Sequence, residues 1–300
     1  MHVHLFLDGA IDDWLELPVV LSASWVNRGL EHHGLYLHCA VPDGAVVGFE
    51  RIVRALANDG WCETFTLVVT GDSWQALGVL SSCVARDGRL RGGAEDVPAG
   101  VLRHGGETSS LLRSYPFVVP AVFEAPEERC SMQEVWRRAF HRLGPRVWSY
   151  LPRGTRRWPV NGKHYVRHAL DLLVAAGLFR QNVIRYRPLL EHAIEVFVLL
   201  PAAGVEKVAG ALGGVCPVVE IAPGTDGRVL ARVTGDEALV YELLRLSRES
   251  VRPLGVWLHD YRDEHALSRA RLSYETLFDP TTGSWRLSPD EVLGTLRGHA

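Results

Sequence analysis

The sequence VVEIAPGTDGRVLARV, residues 218–233, decides the fold class because it predicts a β-hairpin. Apolar residues, most of them β-branched, predominate in 218–221 and 229–233, and the segment PGTDG between them, residues 223–227, is typical of a turn. We therefore expect antiparallel β-structure in the last third of the chain.

The segments on either side of this hairpin complete a recognisable order of elements. Hydrophobic periodicity predicts a strand at 193–200, a helix at 205–212, a helix from Asp236 to about Ser250 and a strand at 254–258. The resulting order, β-α-β-β-α-β, is the split βαβ arrangement. Segment 193–200 would equally suit a helix, because Pro188 suits a first helical position and Glu191 and Glu195 are four residues apart.

The N-terminal third predicts a similar alternation of strands and helices. Its expected elements are strands at 2–7, 35–41 and 64–70 and helices at 12–27 and 49–57. A glycine-rich stretch at 86–110 predicts a long connection or flap. Helical patterns follow from Ser131 to Leu143 and from Asn161 to Gly177.

These elements predict an α+β protein with two ferredoxin-like (split βαβ) layers joined by a basic helical middle segment. The expected organisation is an N-terminal α+β layer at 1–85, a connection at 86–130, the helical segment at 131–192 and a split βαβ region with a tail at 193–300.

Charge is distributed unevenly along the chain. The formal net charge is -3, yet residues 137–187 carry twelve arginine and lysine residues and only one acidic residue, Asp171. Such a segment predicts a positive face for an acidic peptide, a phosphorylated ligand or nucleic acid. The alternative is that these arginines pair with acidic residues inside the fold.

Composition and motifs exclude several classes. No apolar run approaches the roughly 20 residues of a membrane span, and no signal-peptide pattern opens the chain. Five scattered cysteines indicate reduced thiols, so we expect a cytoplasmic protein without membrane contact. P-loop, Rossmann, zinc-protease, C-x-x-C and G-x-S-x-G motifs are absent from the sequence, and we expect neither a cofactor nor a metal.

Two groups of histidines are candidates for chemistry. The first is Glu31, His32, His33, Tyr36 and His38, in which Tyr36 and His38 share one face of a strand because side chains alternate. The second is His164, Tyr165, Arg167 and His168, in which the two histidines are four residues apart on one helix face. Imidazole suits acid–base catalysis, a metal site or an ordinary partly exposed position, and the sequence leaves these alternatives open.

Two stretches carry a resemblance to a known family. The opening strand HVHLFLDG at 2–9 with DDWL at 12–15, and the helix YVRHALDLLVA at 165–175, resemble stand-alone elimination-domain homologues of lanthipeptide dehydratases. That family includes glutamate-eliminating enzymes and thiopeptide pyridine synthases. The resemblance covers residues 1–80 and 160–180.

One departure from the eliminating branch favours the pyridine synthases. Eliminating enzymes resemble one another in an arginine-rich strand, whereas here Arg28 is kept and the strand HGLYLH, residues 33–38, has no arginine. The resemblance thus implies formal [4+2] cycloaddition of two dehydroalanines in a dehydrated, leader-bearing peptide, followed by aromatisation to a pyridine. The rate of such a reaction depends on folding the peptide so that both alkenes meet.

Under this hypothesis the candidate proton-transfer residues are Tyr36, His38, Tyr165 and His168. The candidate substrate-binding residues are Arg28, His33 and Arg167, and the implied partner is an acidic leader peptide. The oligomeric state stays open.

A DNA-binding regulator is the alternative function. Residues 161–179 followed by 180–187 would form a recognition helix and a wing, and residues 130–262 resemble leucine-responsive regulators with a ferredoxin-like ligand-sensing domain. Nucleic acid is expected as a partner only in this case. A non-catalytic peptide-binding or scaffold protein is a third possibility.

Overall fold

The computed structural model describes most of the chain, and contacts group the described residues into two units. The described residues are 1–29, 32–71, 75–79, 94–99, 111–124, 132–151, 164, 167–169, 171–172, 180–186, 194–202, 218–235, 245, 252–260 and 272–299. The first unit comprises 1–93, 186–272 and 288–300, and the second comprises 94–185 and 273–287. The protein has the mixed α+β architecture that the sequence predicts, with a large antiparallel sheet.

Among the residues that the structure describes, the sheet of the first unit has nine strands. In chain order they are β1 (His2–Asp8), β2 (Val20–Arg28), β3 (His32–Ala40), β4 (Thr64–Thr70), β5 (Gln75–Val79), β8 (Ile194–Pro201), β9 (Val218–Pro223), β10 (Arg228–Gly235) and β11 (Gly255–Asp260). They lie in the order β4-β1-β3-β2-β11-β8-β10-β9-β5, and neighbouring strands pair antiparallel. The β2–β11 pair joins the strands of the N-terminal third to those of the last third.

The predicted helix at 12–27 is wrong. A short 3₁₀ helix covers Asp12–Glu16, and β2 then occupies Val20–Arg28. Pro18 explains the difference, because a proline lacks the amide hydrogen that a helix interior needs and restricts the residue before it to extended backbone. Leu17 accordingly has ψ 127°. The helical spacing of the apolar residues at 12–27 is therefore not enough to form a helix across Pro18.

The remaining predicted strands of the sheet are confirmed. Segment 193–200 is the strand β8, and the hairpin of β9 and β10 surrounds the turn at 224–227. The strand predicted at 35–41 begins three residues earlier than expected, at His32. The helices predicted at 205–212 and 236–250 lie almost wholly outside the described residues.

One face of the sheet, the inner face, encloses an apolar core. Strands of the N-terminal third and strands of the last third both contribute residues to this core. Its buried residues are Phe6, Val26, Tyr36, Val68, Phe197, Leu199, Ala222, Leu230 and Trp257. The rings of Phe6 and Trp257 stack with centroids 4.0 Å apart, and those of Tyr36 and Phe197 lie 4.4 Å apart. Strands from the two halves therefore face each other across this core.

The edge of β4 meets the turn between β9 and β10, so the sheet curls around the inner face. The Thr225 amide donates to the Val69 carbonyl at 2.8 Å, and the Arg228 guanidinium donates to the Leu67 carbonyl at 2.7 Å. Thr70 and Gly224 form an isolated bridge beside these bonds.

Helices accompany the sheet of the first unit. Helix α1 (Val46–Asn58) confirms the helix predicted at 49–57, and it buries Phe49, Ile52, Val53 and Leu56. It contacts β4 and the last helix of the chain, Pro289–His299. Two surface ion pairs, Arg51 with Asp290 and Arg297 with Asp59, join the two helices.

The second unit is mainly helical. Its helices are α2 (Val118–Phe123), α3 (Met132–Leu143), α4 (Val147–Tyr150) and α5 (Tyr274–Leu277), so that Pro289–His299 is α6 of the chain. Strands β6 (Ala94–Ala99) and β7 (Arg180–Tyr186) pair with each other, as do β12 (Phe278–Asp279) and β13 (Ser284–Trp285). Helix α3 confirms the helix predicted after Ser131, which itself lies outside the described residues.

Two further expectations fall in the second unit. The glycine-rich stretch 86–110 is not only a connection, because β6 forms within it despite its few apolar residues. Of the helix predicted at 161–177, residues 164, 167–169 and 171–172 are described, and they are helical. Within the described part of the chain, no helix combines the length and apolar character of a bilayer span.

Gly34 fixes the close approach of β3 to β1. It pairs with Asp8, and a Cβ atom at this position would overlap the Leu7 carbonyl oxygen. We expect Gly34→Ala to lower the free energy of unfolding by about 2 kcal/mol, because backbone rather than a side chain must move. Gly294 in α6 has open space around it, so Gly294→Ala should raise stability by about 0.5–1 kcal/mol. Urea denaturation of both variants tests this, and equal effects would contradict it.

Candidate functional site

Polar side chains occupy one end of the inner face, on three neighbouring strands. Alternation along β1 places His2, His4 and Phe6 on the same face. In the antiparallel register His4 lies opposite His38 of β3 and Val68 of β4, Phe6 lies opposite Tyr36, and His2 lies opposite Thr70. The sheet thus brings together side chains that are up to 68 residues apart in sequence.

These side chains form one connected group, here called the histidine–tyrosine cluster: His2, His4, Tyr36, His38 and Thr70. His4 Nδ1 lies 2.8 Å from the Tyr36 hydroxyl, and His4 Nε2 lies 3.4 Å from Thr70 Oγ1. His2 Nδ1 lies 3.0 Å from His38 Nε2, and the rings of His4 and His38 stack at 4.7 Å. Imidazole and phenol groups in such contact can pass protons between one another.

The cluster is largely shielded from water, with one accessible side. His4 and Thr70 are fully buried, and Tyr36 and His38 are nearly so. His2 is only partly buried, as are Ser22 and Ser24, which pair with His38 and Tyr36 on β2. The exposure of the cluster is therefore greatest at His2.

A second polar group, the arginine–carboxylate cluster, lies on β8, β9, β10 and β11. Arg232 Nη2 donates to Glu195 Oε2 at 2.7 Å, and Arg232 Nη1 lies 3.7 Å from Glu220 Oε2. His259 Nδ1 lies 3.9 Å from the other oxygen of Glu195. Glu195 is buried, and Arg232 is mostly buried.

Arg232 links the two clusters electrostatically. Burial alone would lower its pKa, but the carboxylates of Glu195 and Glu220 and the hydroxyl of Tyr36 together raise it, so Arg232 stays charged. Phe197 pairs with Arg232 across β8 and β10, and its ring lies against Tyr36. A permanent positive charge therefore stands near the phenol that also contacts His4.

The candidate site residues that the sequence predicts in the N-terminal third lie at different places on the sheet. Tyr36 and His38 lie together in the histidine–tyrosine cluster. Arg28 lies on the inner face, where its guanidinium donates to Asp8 at 3.0 Å and lies 5.9 Å from the Trp257 ring. His33 is on the opposite face, where it contacts Asn27 at 3.0 Å and stacks on Trp25, because an odd spacing separates it from Tyr36.

The sequence candidates of the middle segment lie in the second unit. Arg167 and His168 are exposed, and the ring of His168 lies 5.9 Å from that of Tyr115. Tyr165 lies outside the described residues. His164, four residues before His168, is exposed as well.

Several arginines of the basic segment pair with carboxylates of the second unit. Arg137 and Arg138 bind Glu134, and these hydrogen bonds lower the pKa of the glutamate to about 2. Arg142 bonds to Glu124 and Glu275, each at 3.1 Å. Fewer arginines are therefore available for the positive face that the sequence predicts than the count of basic residues suggests.

Thiol and metal chemistry find little support among the described residues. Burial raises the pKa of the Cys39 thiol, and burial together with the Asp8 carboxylate raises that of Cys62 to about 11. Neither thiol is a thiolate at neutral pH. In the part of the chain that the structure describes, no group of three or more histidine, cysteine, aspartate or glutamate side chains is arranged to hold a metal ion.

Sequence reasoning missed His2, His4, Thr70 and the arginine–carboxylate cluster. A signal for the first two was present, because histidines alternate with apolar residues in the otherwise apolar strand HVHLFL, residues 2–7. The ion pairs of Arg232 have no comparable signal, since its partners lie on strands whose register no local pattern fixes.

Comparison with known proteins gives little. No protein-family model matches the chain, and no curated protein matches it. Among solved structures, the crystal structure of the siroheme decarboxylase NirDL in co-complex with an iron-uroporphyrin III analogue is similar over 87% of this chain and 72% of that chain, with a TM-score of 0.39 and 14% identity. A likeness at this score supports no inference about fold or activity.

Arg232 balances two carboxylates on the inner face, so its removal should be costly. We expect Arg232→Met to lower the free energy of unfolding by about 3–5 kcal/mol. The double variant Arg232→Met with Glu195→Gln should recover part of the loss. The control, Arg51→Met, removes a solvent-exposed ion pair with Asp290 and should cost less than about 1 kcal/mol. Urea denaturation followed by tryptophan fluorescence measures all three, and a harmless Arg232→Met would contradict the assignment.

Proposed function

We propose that this protein is an enzyme that uses the histidine–tyrosine cluster for acid–base catalysis. The observation that carries the proposal is the 2.8 Å contact between the Tyr36 hydroxyl and His4 Nδ1 in a buried cluster that also contains the partly exposed His2. Buried groups of interacting titratable residues are more frequent at active sites than elsewhere.

Each member of the cluster has a distinct role in this proposal. Tyr36 donates a proton to the substrate and takes it back through His4, which Thr70 orients at its other ring nitrogen. His38, in contact with the partly exposed His2, exchanges protons with solvent. Arg232 interacts electrostatically with Tyr36, while Glu195 and Glu220 balance its charge and hold it in place.

The substrate class we propose is a dehydrated peptide of thiopeptide-like biosynthesis, as the family resemblance implies. One dehydroalanine and the carbonyl carbon of the residue before it, as the amide tautomer, supply four ring atoms, and the second dehydroalanine supplies two. Two σ bonds form at the expense of two π bonds, and loss of the tautomer hydroxyl as water and of the leader peptide as an amide then gives the pyridine, so no oxidant is needed. Tautomerisation and both eliminations require the proton transfers that Tyr36 and His4 provide.

The position of Arg28 also bears on the substrate. Its guanidinium is partly exposed and belongs to the inner face, beside Trp257. We propose that it polarises a substrate carbonyl while its ion pair with Asp8 fixes its direction.

We further propose that the sheet consists of two ferredoxin-like layers. Strands β4-β1-β3-β2 and β11-β8-β10-β9 follow the same order, in which the fourth strand lies beside the first and the third beside the second. In the N-terminal half, the 3₁₀ segment Asp12–Glu16 takes the place of the first helix. This repeated order supports the proposal.

A DNA-binding regulator remains the alternative outcome of the test below. Most of its predicted recognition helix lies outside the described residues, and the wing predicted at 180–187 coincides with β7, which pairs with β6. No geometry at the described residues favours it over the enzyme.

The test is cyclisation of a dehydrated, leader-bearing synthetic peptide by the full-length protein, followed by mass spectrometry. The wild-type protein should release the leader peptide and water and form the pyridine. Tyr36→Phe and His4→Gln should each reduce the turnover number about 10²–10⁴-fold, because each interrupts proton transfer. The control is His32→Gln. His32 is an exposed histidine on β3, the strand that carries Tyr36, and this variant should turn over at the wild-type rate.

Absence of product from the wild-type protein would reject peptide cyclisation. Normal turnover by Tyr36→Phe would reject the role of the cluster. Salt-sensitive binding of random duplex DNA, in place of turnover, would favour the regulator.

A further inference from the structure

Strand β2 is paired along its whole length on one side and along only part of its length on the other. Its pairing with β3 extends from Val20 to Arg28. Its pairing with β11 covers only residues 25–27, because β11 ends at Asp260. Among the residues that the structure describes, no strand pairs with residues 21–24 on the side of β2 that faces away from β3. We call residues 21–24 on this side the open edge of β2.

The exposure of β2 agrees with this pairing. Residues 21–25 are all partly exposed, and they include residues of both faces of the strand. A strand that is covered on one face only shows alternating burial instead, because successive side chains point to opposite faces. Strand β3, which is paired on both sides, is buried throughout from Gly34 to Ala40. The continuous exposure of β2 is therefore what an uncovered edge produces.

The hydrogen bonds of β3 show which main-chain groups of β2 face the open edge. The Gly9 amide donates to the His33 carbonyl at 3.0 Å, on the side of β3 that carries β1. The Ala40 amide donates to the Val19 carbonyl at 2.8 Å, on the side that carries β2. Main-chain groups of successive residues point to opposite sides of a strand. Odd-numbered residues of β3 therefore bond to β1, and even-numbered residues bond to β2.

Ala23 consequently directs its N–H and C=O to the open edge. Its neighbours Ser22 and Ser24 pair with His38 and Tyr36, which are even-numbered residues of β3 and bond to β2. The β-bulge of this strand pair lies before Ser22, so the alternation continues through these residues. Main-chain groups of Ala23 thus point away from β3, in the geometry that an added strand requires.

The chemistry of the open edge suits a peptide main chain. Its residues, LSAS at 21–24, include no proline and no charged side chain, which natural proteins often use to protect an exposed edge from pairing. The same residues offer no cation for a phosphate or a carboxylate. Ser22 and Ser24 lie on the inner face, because they alternate with Val26 of the apolar core. A strand added here would thus border the face that carries the histidine–tyrosine cluster.

We propose that an extended segment of the substrate peptide binds as an additional strand along residues 21–24. Main-chain hydrogen bonds to Ala23 hold the segment, and peptide residues opposite Ser22 and Ser24 point to the inner face, which also carries Tyr36. One arm of the substrate is then fixed in register, and the other arm can fold back onto it, which favours cycloaddition. That the peptide is a dehydrated substrate rests on the function proposed above, whereas strand addition itself does not.

The test uses the full-length protein and the leader-bearing synthetic peptide with serine in place of each dehydroalanine, a form that cannot cyclise. Fluorescence anisotropy of the labelled peptide measures its affinity. A series of peptides, each N-methylated at one residue, then maps the main-chain contacts. N-methylation at alternate residues of the bound segment should weaken binding at least about tenfold, and N-methylation at the intervening residues should leave it unchanged, because only every second amide faces β2.

Variants of Ala23 test the same contact from the side of the protein. Ala23→Pro removes an N–H that does not bond to β3, so it should weaken peptide binding at least about tenfold while urea denaturation shows a folded protein. The matched control, Ala23→Val, keeps the N–H and should bind as the wild type does. In the wild-type protein, saturating peptide should slow amide hydrogen exchange at Ala23 at least about tenfold and leave Ser24, which already bonds to β3, unchanged.

Several results would overturn the proposal. They are failure of the wild-type protein to bind the peptide, an N-methylation pattern without a period of two, equal binding by Ala23→Pro and Ala23→Val, and protection of the Ala23 amide by self-association in the absence of peptide. Cyclisation of the dehydrated peptide without protection of Ala23 would reject strand addition and leave the proposed function intact. Protection of Ala23 by the serine peptide, without cyclisation of the dehydrated form, would do the reverse.

Discussion

The packing of Phe6 against Trp257, with Phe197 against Tyr36, is the constraint on which the inner face depends. These contacts join strands of the N-terminal third to strands of the last third, which also pair along the sheet as β2–β11 and β5–β9. Aromatic side chains of this size dominate the energy of a core, so the two halves hold each other in register. Polar residues on the same strands then take fixed positions relative to this core.

The histidine–tyrosine cluster lies next to the apolar core, and this position determines the strength of its electrostatic interactions. His4 and Tyr36 are buried, and electrostatic interactions are stronger where water is largely excluded. Arg232 can remain charged there because Glu195 and Glu220 compensate it. The same strands that build the core therefore place a proton-transfer chain and a fixed charge side by side.

The sequence predicts much of the sheet and little of the site. Strands such as β4 and β10 follow from local apolar patterns, and so does the shared face of Tyr36 and His38, because alternation along a strand is a local property. The helix expected at 12–27 does not form, because Pro18 interrupts it. Pro18 is a local signal, but the helical spacing of the apolar residues favoured the opposite prediction. The contacts of His4 with Tyr36 and of Arg232 with Glu195 depend on strand order and register, which pairing across the chain decides.

The most direct measurement is nitrogen NMR of the imidazole side chains in the wild-type protein and the Tyr36→Phe variant. If Tyr36 contacts His4 on the inner face, the variant should shift the Nδ1 resonance of His4 and leave that of His33, on the opposite face, unchanged. A His4 resonance that stays in place when the hydroxyl is removed would contradict the cluster and the catalysis proposed from it.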